Sequence, residues 1–240
     1  MLIRMVSPII IFLNGFSALA LVISASFMLF YYLYQCHKNK TKPIGTVYFL
    51  CLAIALGWTG IAITTLSVVI HGYNLPWVAG VISYFSYSTI PIGALAIIYT
   101  TWNVAGSPSK KKYVLMGFFI YSLFYYIVLF LNFEKAVVIS ETGVIYDDWI
   151  TSASFFYYVL WGECLFAATI SGIGFNKFRK ATPGELHSRS MALLSATPII
   201  GLSILLDTVI FMEPHVNFLF LPRFAMILGL FLVYKGFKPS

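Results

Sequence analysis

Ser107-Pro-Ser-Lys110-Lys-Lys112 stands between two apolar stretches, Trp77–Trp102 and Tyr113–Phe133. Each stretch has the ~20 apolar residues needed to cross a bilayer, so a triple lysine between them marks an end retained on the cytoplasmic side. The same sign recurs in every second gap. Lys38, Lys40 and Lys42 follow the first apolar stretch, Lys177, Arg179, Lys180 and Arg189 follow the fifth, and Lys235 and Lys238 close the seventh. Twelve of the 15 basic residues fall in these positions. The remaining gaps and the N-terminus hold only Arg4 and Lys135, but they carry Glu134, Glu141, Asp147, Asp148 and Glu213. Arg223 alone lies within an apolar stretch.

The predicted spans are Pro8–Gln35, Ile44–Ile70, Trp77–Trp102, Tyr113–Phe133, Ile150–Phe175, Ser190–Met212 and Val216–Phe237. This describes an all-α membrane protein, a single seven-transmembrane helix bundle with the N-terminus outside and the C-terminus cytoplasmic. Trp77, Trp102 and Trp149 fall at predicted span ends, where amphipathic rings favour the headgroup layer. Two β-prone runs, Ala136-Val-Val-Ile-Ser140 and Val144-Ile-Tyr146, flank Gly143, which predicts a short extracellular β-hairpin between the fourth and fifth helices. It is either a plain connection or a lid over an outer cavity. The first stretch is too long for a signal-peptide core and reads as a retained span. Short connections and a short tail predict one domain over residues 1–240, with no appended kinase or nucleotide-binding unit.

Mean hydropathy of +0.89 excludes an ordinary soluble domain. A net charge of +7 confined to short loops is accounted for by membrane insertion and anionic headgroups, so no nucleic-acid partner is expected. Cys36, Cys51 and Cys164 have neither CxxC nor metal-ligand spacing and read as packing residues. His71 and His215 fall near the outer surface with Glu213, Asp147 and Asp148, but no local spacing enforces a metal site. GxSxG, HExxH and P-loop signatures are absent, so neither an enzyme nor a cofactor is expected.

Charged groups that persist inside a bilayer face the bundle interior and usually pair. Three qualify: Glu163 in the fifth span, Asp207 in the sixth and Arg223 in the seventh. At about 1.5 Å per residue, Asp207 lies roughly 7 Å and Arg223 roughly 10 Å from the outer ends of their spans. A turn at Glu213-Pro-His215 makes those spans antiparallel neighbours, so an Asp207–Arg223 ion pair is expected. Glu163, roughly 20 Å deep, either reaches Arg223 from below or keeps its proton. The cluster reads as an interhelical clamp, as an outward-opening site in which Arg223 holds an anionic or zwitterionic molecule, or as a proton relay. Pro91, Pro198 and Pro222 lie inside spans, where each removes a backbone donor and either hinges its helix or is passive. The aromatics Phe118, Phe119, Tyr121, Phe124–Tyr126 and Phe155–Tyr158 read mostly as packing or lipid contacts, the rest as the lining of an apolar pocket.

Seven spans in this orientation invite comparison with microbial rhodopsins. A retinal Schiff base needs a lysine in the middle of the seventh span, however, and Lys235 lies at its cytoplasmic end, so retinal is not expected. Other parts of the chain carry a different likeness. The stretch Ile82-Ser-Tyr-Phe-Ser-Tyr-Ser-Thr-Ile-Pro91-Ile-Gly-Ala-Leu-Ala-Ile-Ile-Tyr-Thr, the basic loop Asn176-Lys-Phe-Arg-Lys180, and the ending Pro222-Arg-Phe-Ala…Val233-Tyr-Lys-Gly-Phe237 form one set. Together with the outer hairpin, this layout resembles the seven-helix N-terminal sensor regions of prokaryotic histidine kinases and related stand-alone archaeal membrane proteins. The resemblance implies a receptor-like sensor in the plasma membrane. It would bind a small ligand or sense membrane state from outside, and signal through a separate cytoplasmic or membrane protein docked on the basic loops.

Two alternatives stay open. Gly60-Ile-Ala-Ile-Thr-Thr-Leu-Ser-Val-Val-Ile echoes Gly201-Leu-Ser-Ile-Leu-Leu-Asp-Thr-Val-Ile-Phe, which suits a small transporter of three-plus-one-plus-three plan. An accessory subunit of a larger membrane complex is the other.

Overall fold

The computed structural model describes residues 8–39, 42–71, 76–105, 108–142, 145–151, 153–207 and 218–238. Among them are seven helices and one hairpin: α1 Pro8–Asn39, α2 Lys42–His71, α3 Pro76–Ala105, α4 Pro108–Ala136, β1 Val137–Thr142, β2 Ile145–Ile150, α5 Phe155–Ala181, α6 Gly184–Leu205 and α7 Phe220–Phe237. Six of the helices, all except α3, are long and apolar enough over their described residues to cross a membrane. Phe27 and Phe130 stand 73% and 76% exposed on the outside of α1 and α4, which only a hydrocarbon surround makes favourable for so many large apolar groups. The protein is an integral, multi-pass membrane protein built as a helical bundle.

Consecutive helices run antiparallel. Thr89 of α3 bonds to Ala53 of α2, and Thr100 further along bonds to Thr46. Tyr125 of α4 reaches Tyr87 of α3, and Lys111 reaches Asn103. Ser122 of α4 meets Glu163 of α5, and Phe118 stacks on Phe166. Gly201 of α6 lies against Ala168 of α5, and Met191 accepts from Arg179. Asp207 of α6 meets Arg223 of α7, and Gly229 packs on Ile200. A Cβ at position 229 would stand 2.5 Å from Ile200 Cγ1, so α6 and α7 approach closely there.

Two further contacts are parallel and close the bundle. Tyr32 of α1 donates to the Val233 carbonyl of α7 at 3.3 Å. Tyr87 of α3 packs edge-on to Phe156 of α5, with Lys177 over the Trp102 ring further along. Helices α1, α2, α3, α5, α6 and α7 therefore form a ring, with α4 outside it in the groove between α3 and α5. Alternating direction gathers Lys38, Lys110–Lys112, Lys177, Lys180, Arg189 and Lys235 at one end. The hairpin lies at the other, with β2 against α2 and α3 and β1 against α4.

Several helices run beyond the predicted spans. α1 continues to Asn39, α4 covers Pro108–Ala136, and α6 begins at Gly184 rather than Ser190. Hydropathy marks only the part that lies in hydrocarbon, whereas Lys, Glu and Arg are good helix formers and extend helices into water. The first turns of α6 carry a Glu185–Arg189 pair at 2.5 Å, the i,i+4 spacing of neighbours on one helix face. Gly184, with φ of 64°, supplies the left-handed backbone that makes the short link from α5 possible.

At the hairpin end two predicted boundaries are corrected. Ile150 closes β2, paired with Val137, instead of opening a helix. A β-branched residue after Trp149 fits a strand as well as a bilayer. α5 starts at Phe155, where Ser154 Oγ accepts from the Tyr157 N–H at 3.3 Å as an N-cap. α7 starts at Phe220 rather than Val216, and regular α6 ends at Leu205 before a wider π turn at Leu206–Asp207. Gly143, the predicted end of the sixth span at Met212 and the predicted turn Glu213-Pro-His215 lie outside the described residues.

The prolines divide by position. Pro222 sits in the first turn of α7, where a missing donor costs nothing, so it does not kink the helix. Pro198 faces outward from α6. Pro91 is buried within α3 and cannot bond the Tyr87 carbonyl four residues back. The Tyr125 hydroxyl does so instead, at 2.9 Å, and ties α4 to α3. Replacing Tyr125 with Phe should lower unfolding free energy in detergent by about 1–1.5 kcal/mol. In a Pro91→Ala background the restored N–H should cut that loss by half or more; an undiminished loss would refute the exchange of partners.

Candidate functional site

The structure splits the three predicted ionic residues. Asp207 and Arg223 meet: Arg223 Nε donates to Asp207 Oδ1 at 2.9 Å, and their side chains are 4% and 1% exposed. Glu163 joins no ion pair with them. It projects from α5 toward α4, where its Oε1 accepts from Ser122 Oγ at 3.2 Å and its Oε2 is buried without a hydrogen-bond partner. The reason is helical geometry. Successive residues diverge by about 100°, so Cys164, which faces the bundle centre, turns Glu163 away from it. Counting from Phe155, Glu163 is also only about 12 Å along its helix, not the ~20 Å expected from Ile150.

The pair is part of a larger clamp. Trp58 Nε1 of α2 donates to Asp207 Oδ2 at 2.6 Å. Arg223 Nη1 donates to the Asn14 carbonyl of α1 at 2.9 Å, which also accepts from Ser17 Oγ at 2.8 Å. The Asn14 side-chain oxygen accepts from the Phe220 N–H, one of the amides that the start of α7 leaves without a helical partner. Four helices are thus joined at one end by one carboxylate and one guanidinium. Helix dipoles do not decide the arrangement: Asp207 lies just past the C-terminal end of α6 and Arg223 in the first turn of α7, each unfavourable for its own helix, while each stands beside the favourable end of the other.

These contacts commit the Arg223 Nε and Nη1 groups to protein acceptors, and the guanidinium does not line the cavity described below. Among the described residues, the cavity below is lined by Asp207 and not by Arg223. Sequence reasoning also missed Asn14 and Trp58. Asn14 was within reach of the same depth count, because it falls about 9 Å into the first span, level with Asp207. Trp58 gave no such signal, since a tryptophan in an apolar span reads equally as packing.

Beside the clamp lies a cavity of about 100 Å³ between α2 and α3 on one side and α5 and α6 on the other. Small residues open it: Ala53, Gly57, Gly93, Ala167, Ala168 and Gly201. A Cβ at Gly57 would meet no atom within 4 Å. Ile54, Ile61, Ile97 and Ile200 make the wall apolar, while Trp58 and Asp207 stand at the edge where the clamp begins. Asp207 therefore belongs to both features.

Among the described residues no group of three His, Cys, Asp or Glu converges on a point, and Cys36, Cys51 and Cys164 form no disulfide. His71 is exposed at the end of α2, whereas Glu213 and His215 lie outside the described residues. No family model matches this chain, and no curated protein or solved structure is similar to it.

Replacing Arg223 with Ala leaves Asp207 buried beside Trp58 without its counter-charge. Unfolding free energy should fall by about 3–5 kcal/mol, and the Asp207→Leu, Arg223→Met double variant should recover most of the loss. Equal melting of wild type and Arg223→Ala would refute the clamp.

Proposed function

We propose that the protein is a receptor-like membrane sensor whose ligand occupies the cavity between α2, α3, α5 and α6. The observation that carries this reading is that Asp207 both lines the cavity and holds Arg223. A molecule in the cavity touches the residue that fixes α6 to α7 and, through Trp58 and Asn14, to α2 and α1. Ligand contact that differs between two arrangements of the clamp shifts their populations. Such a shift would move α6 and α7 relative to α1 and α2, and so would reach the basic end of the bundle.

The proposed topology has seven spans in the plasma membrane, N-terminus outside and C-terminus cytoplasmic. Its support is the gathering of lysines and arginines at the end opposite the hairpin. A separate signalling partner would then meet the basic surface formed by the α1–α2, α3–α4 and α5–α6 connections. The hairpin, packed on the ends of α2, α3 and α4, caps the outer end.

The reading predicts a specific pattern in a thermal-shift screen of small apolar compounds on the purified, detergent-solubilised protein. Binders should raise the melting temperature of the wild type, because a ligand that binds only the folded state stabilises it. They should fail to raise that of Gly57→Leu, whose side chain fills the cavity. Stabilisers that act equally on both proteins would contradict the reading. A chain that aggregates whenever it is expressed alone would favour the accessory-subunit alternative.

A further inference from the structure

The end of the bundle opposite the hairpin carries a nearly unopposed positive charge. Among the described residues its one acid is Glu185, which Arg189 holds at 2.5 Å. The lysines there are not spread evenly. At the corner where α4 sits against α3 and α5, two of them turn onto the last turns of α3. Lys111 of α4 donates to Asn103 Oδ1 and stands 3.9 Å from the centre of the Tyr99 ring. Lys177 of α5 stands 5.3 Å from the centre of the Trp102 ring. Each ring attracts its ammonium group. Tyr99 and Trp102 are three residues apart, so their Cβ atoms are about 5–6 Å from one another. Two cations from different helices are thus brought to neighbouring positions of a third, with Lys110 and Lys112 exposed nearby.

Like charges drawn together repel, and among the described residues no carboxylate pairs with either lysine to offset it. An ammonium group has three donors, and Lys111 gives one of them to Asn103. Lys177 makes no hydrogen bond or ion pair among the described residues. The corner therefore suits an anion with several acceptor oxygens, as a phosphate has. The adjoining surface narrows the class. Tyr113, Met116 and Ile120 are exposed at i, i+3 and i+7 spacing, one apolar stripe on α4 that begins directly after Lys112. Trp102 and Tyr113 are residue types that favour the headgroup layer, which sets the lysines at phosphate level. A charged head followed by apolar chains uses both features, whereas a free phosphate uses only the first.

We infer that the α3–α4–α5 corner of the basic end binds an anionic phospholipid, its phosphate held by Lys111 and Lys177 and its acyl chains lying along the exposed stripe of α4. The site is on the outside of the ring and does not depend on the receptor reading. Each lysine near an anionic lipid surface is worth about fivefold in affinity, so losing both costs about 25-fold. Added salt weakens the attraction by screening it.

The test titrates phosphatidylglycerol, phosphatidylcholine and chain-free glycerol phosphate into the protein in an uncharged detergent and follows the melting temperature. Wild type is compared with a Lys111→Gln, Lys177→Gln variant. A Lys38→Gln, Lys235→Gln variant removes the same charge from α1 and α7, across the ring from α3 and α5. The melting temperature of each variant without lipid shows that it folds. The expected result is stabilisation of wild type by phosphatidylglycerol at lower concentration than by phosphatidylcholine. The half-effect concentration should rise about 25-fold in the Lys111, Lys177 variant and stay close to wild type in the Lys38, Lys235 variant. Equal weakening in both variants would mean that the whole basic end acts as a diffuse field, and would overturn the site. Equal stabilisation by the two lipids would overturn the charge requirement. Glycerol phosphate acting as strongly as phosphatidylglycerol would replace the lipid with a soluble anion.

Discussion

A single buried carboxylate, Asp207, accepts from an arginine of α7 and a tryptophan of α2 within 2.9 Å. That convergence organises the bundle. Hydrophobic burial drives helices into a bilayer but does little to choose their neighbours there, because lipid tails are as apolar as the side chains. A charge pair withdrawn from water has no such tolerance. Separating Asp207 from Arg223 in hydrocarbon is costly, so the ends of α6 and α7 are held in register and α1 is drawn in through Asn14. Close contacts complete the fit further down, where Gly229 admits Ile200 and Tyr32 bonds the Val233 carbonyl.

The cavity follows from the same arrangement. α2 is tied to α6 at one end by Trp58, and below that tie small residues face each other from both sides. α3 and α5 are kept together on the other flank by the Tyr87, Tyr125 and Phe156 contacts. The space left between is bounded by these helices, with Trp58 and Asp207 at its edge. The polar junction beside it draws its partners from four helices rather than from a loop.

Much of this was legible in the sequence, for physical reasons. Helix number and direction followed from span length and from lysines sorted into alternate gaps. The Asp207–Arg223 pair followed from matched depth on adjacent helices. The fate of Glu163 did not, because depth fixes how far along a helix a residue lies but not which way it points. Hydropathy likewise placed Ile150 in a helix, since an apolar β-branched residue suits bilayer and strand alike. Proline in a span reads as a kink, and only the first-turn position of Pro222 removes that reading. Trp58 and Asn14 are ordinary residues for an apolar helix until their hydrogen bonds are seen.

The central claim is that Trp58 and Arg223 act through one shared carboxylate. A double-mutant cycle on unfolding free energy, with Trp58→Phe, Arg223→Ala and both together, tests it most directly. The account predicts non-additivity of about 0.5–3 kcal/mol, because each substitution changes what Asp207 offers the other. Additivity within about 0.3 kcal/mol would mean that the two residues act independently and that no common clamp joins α2 to α7.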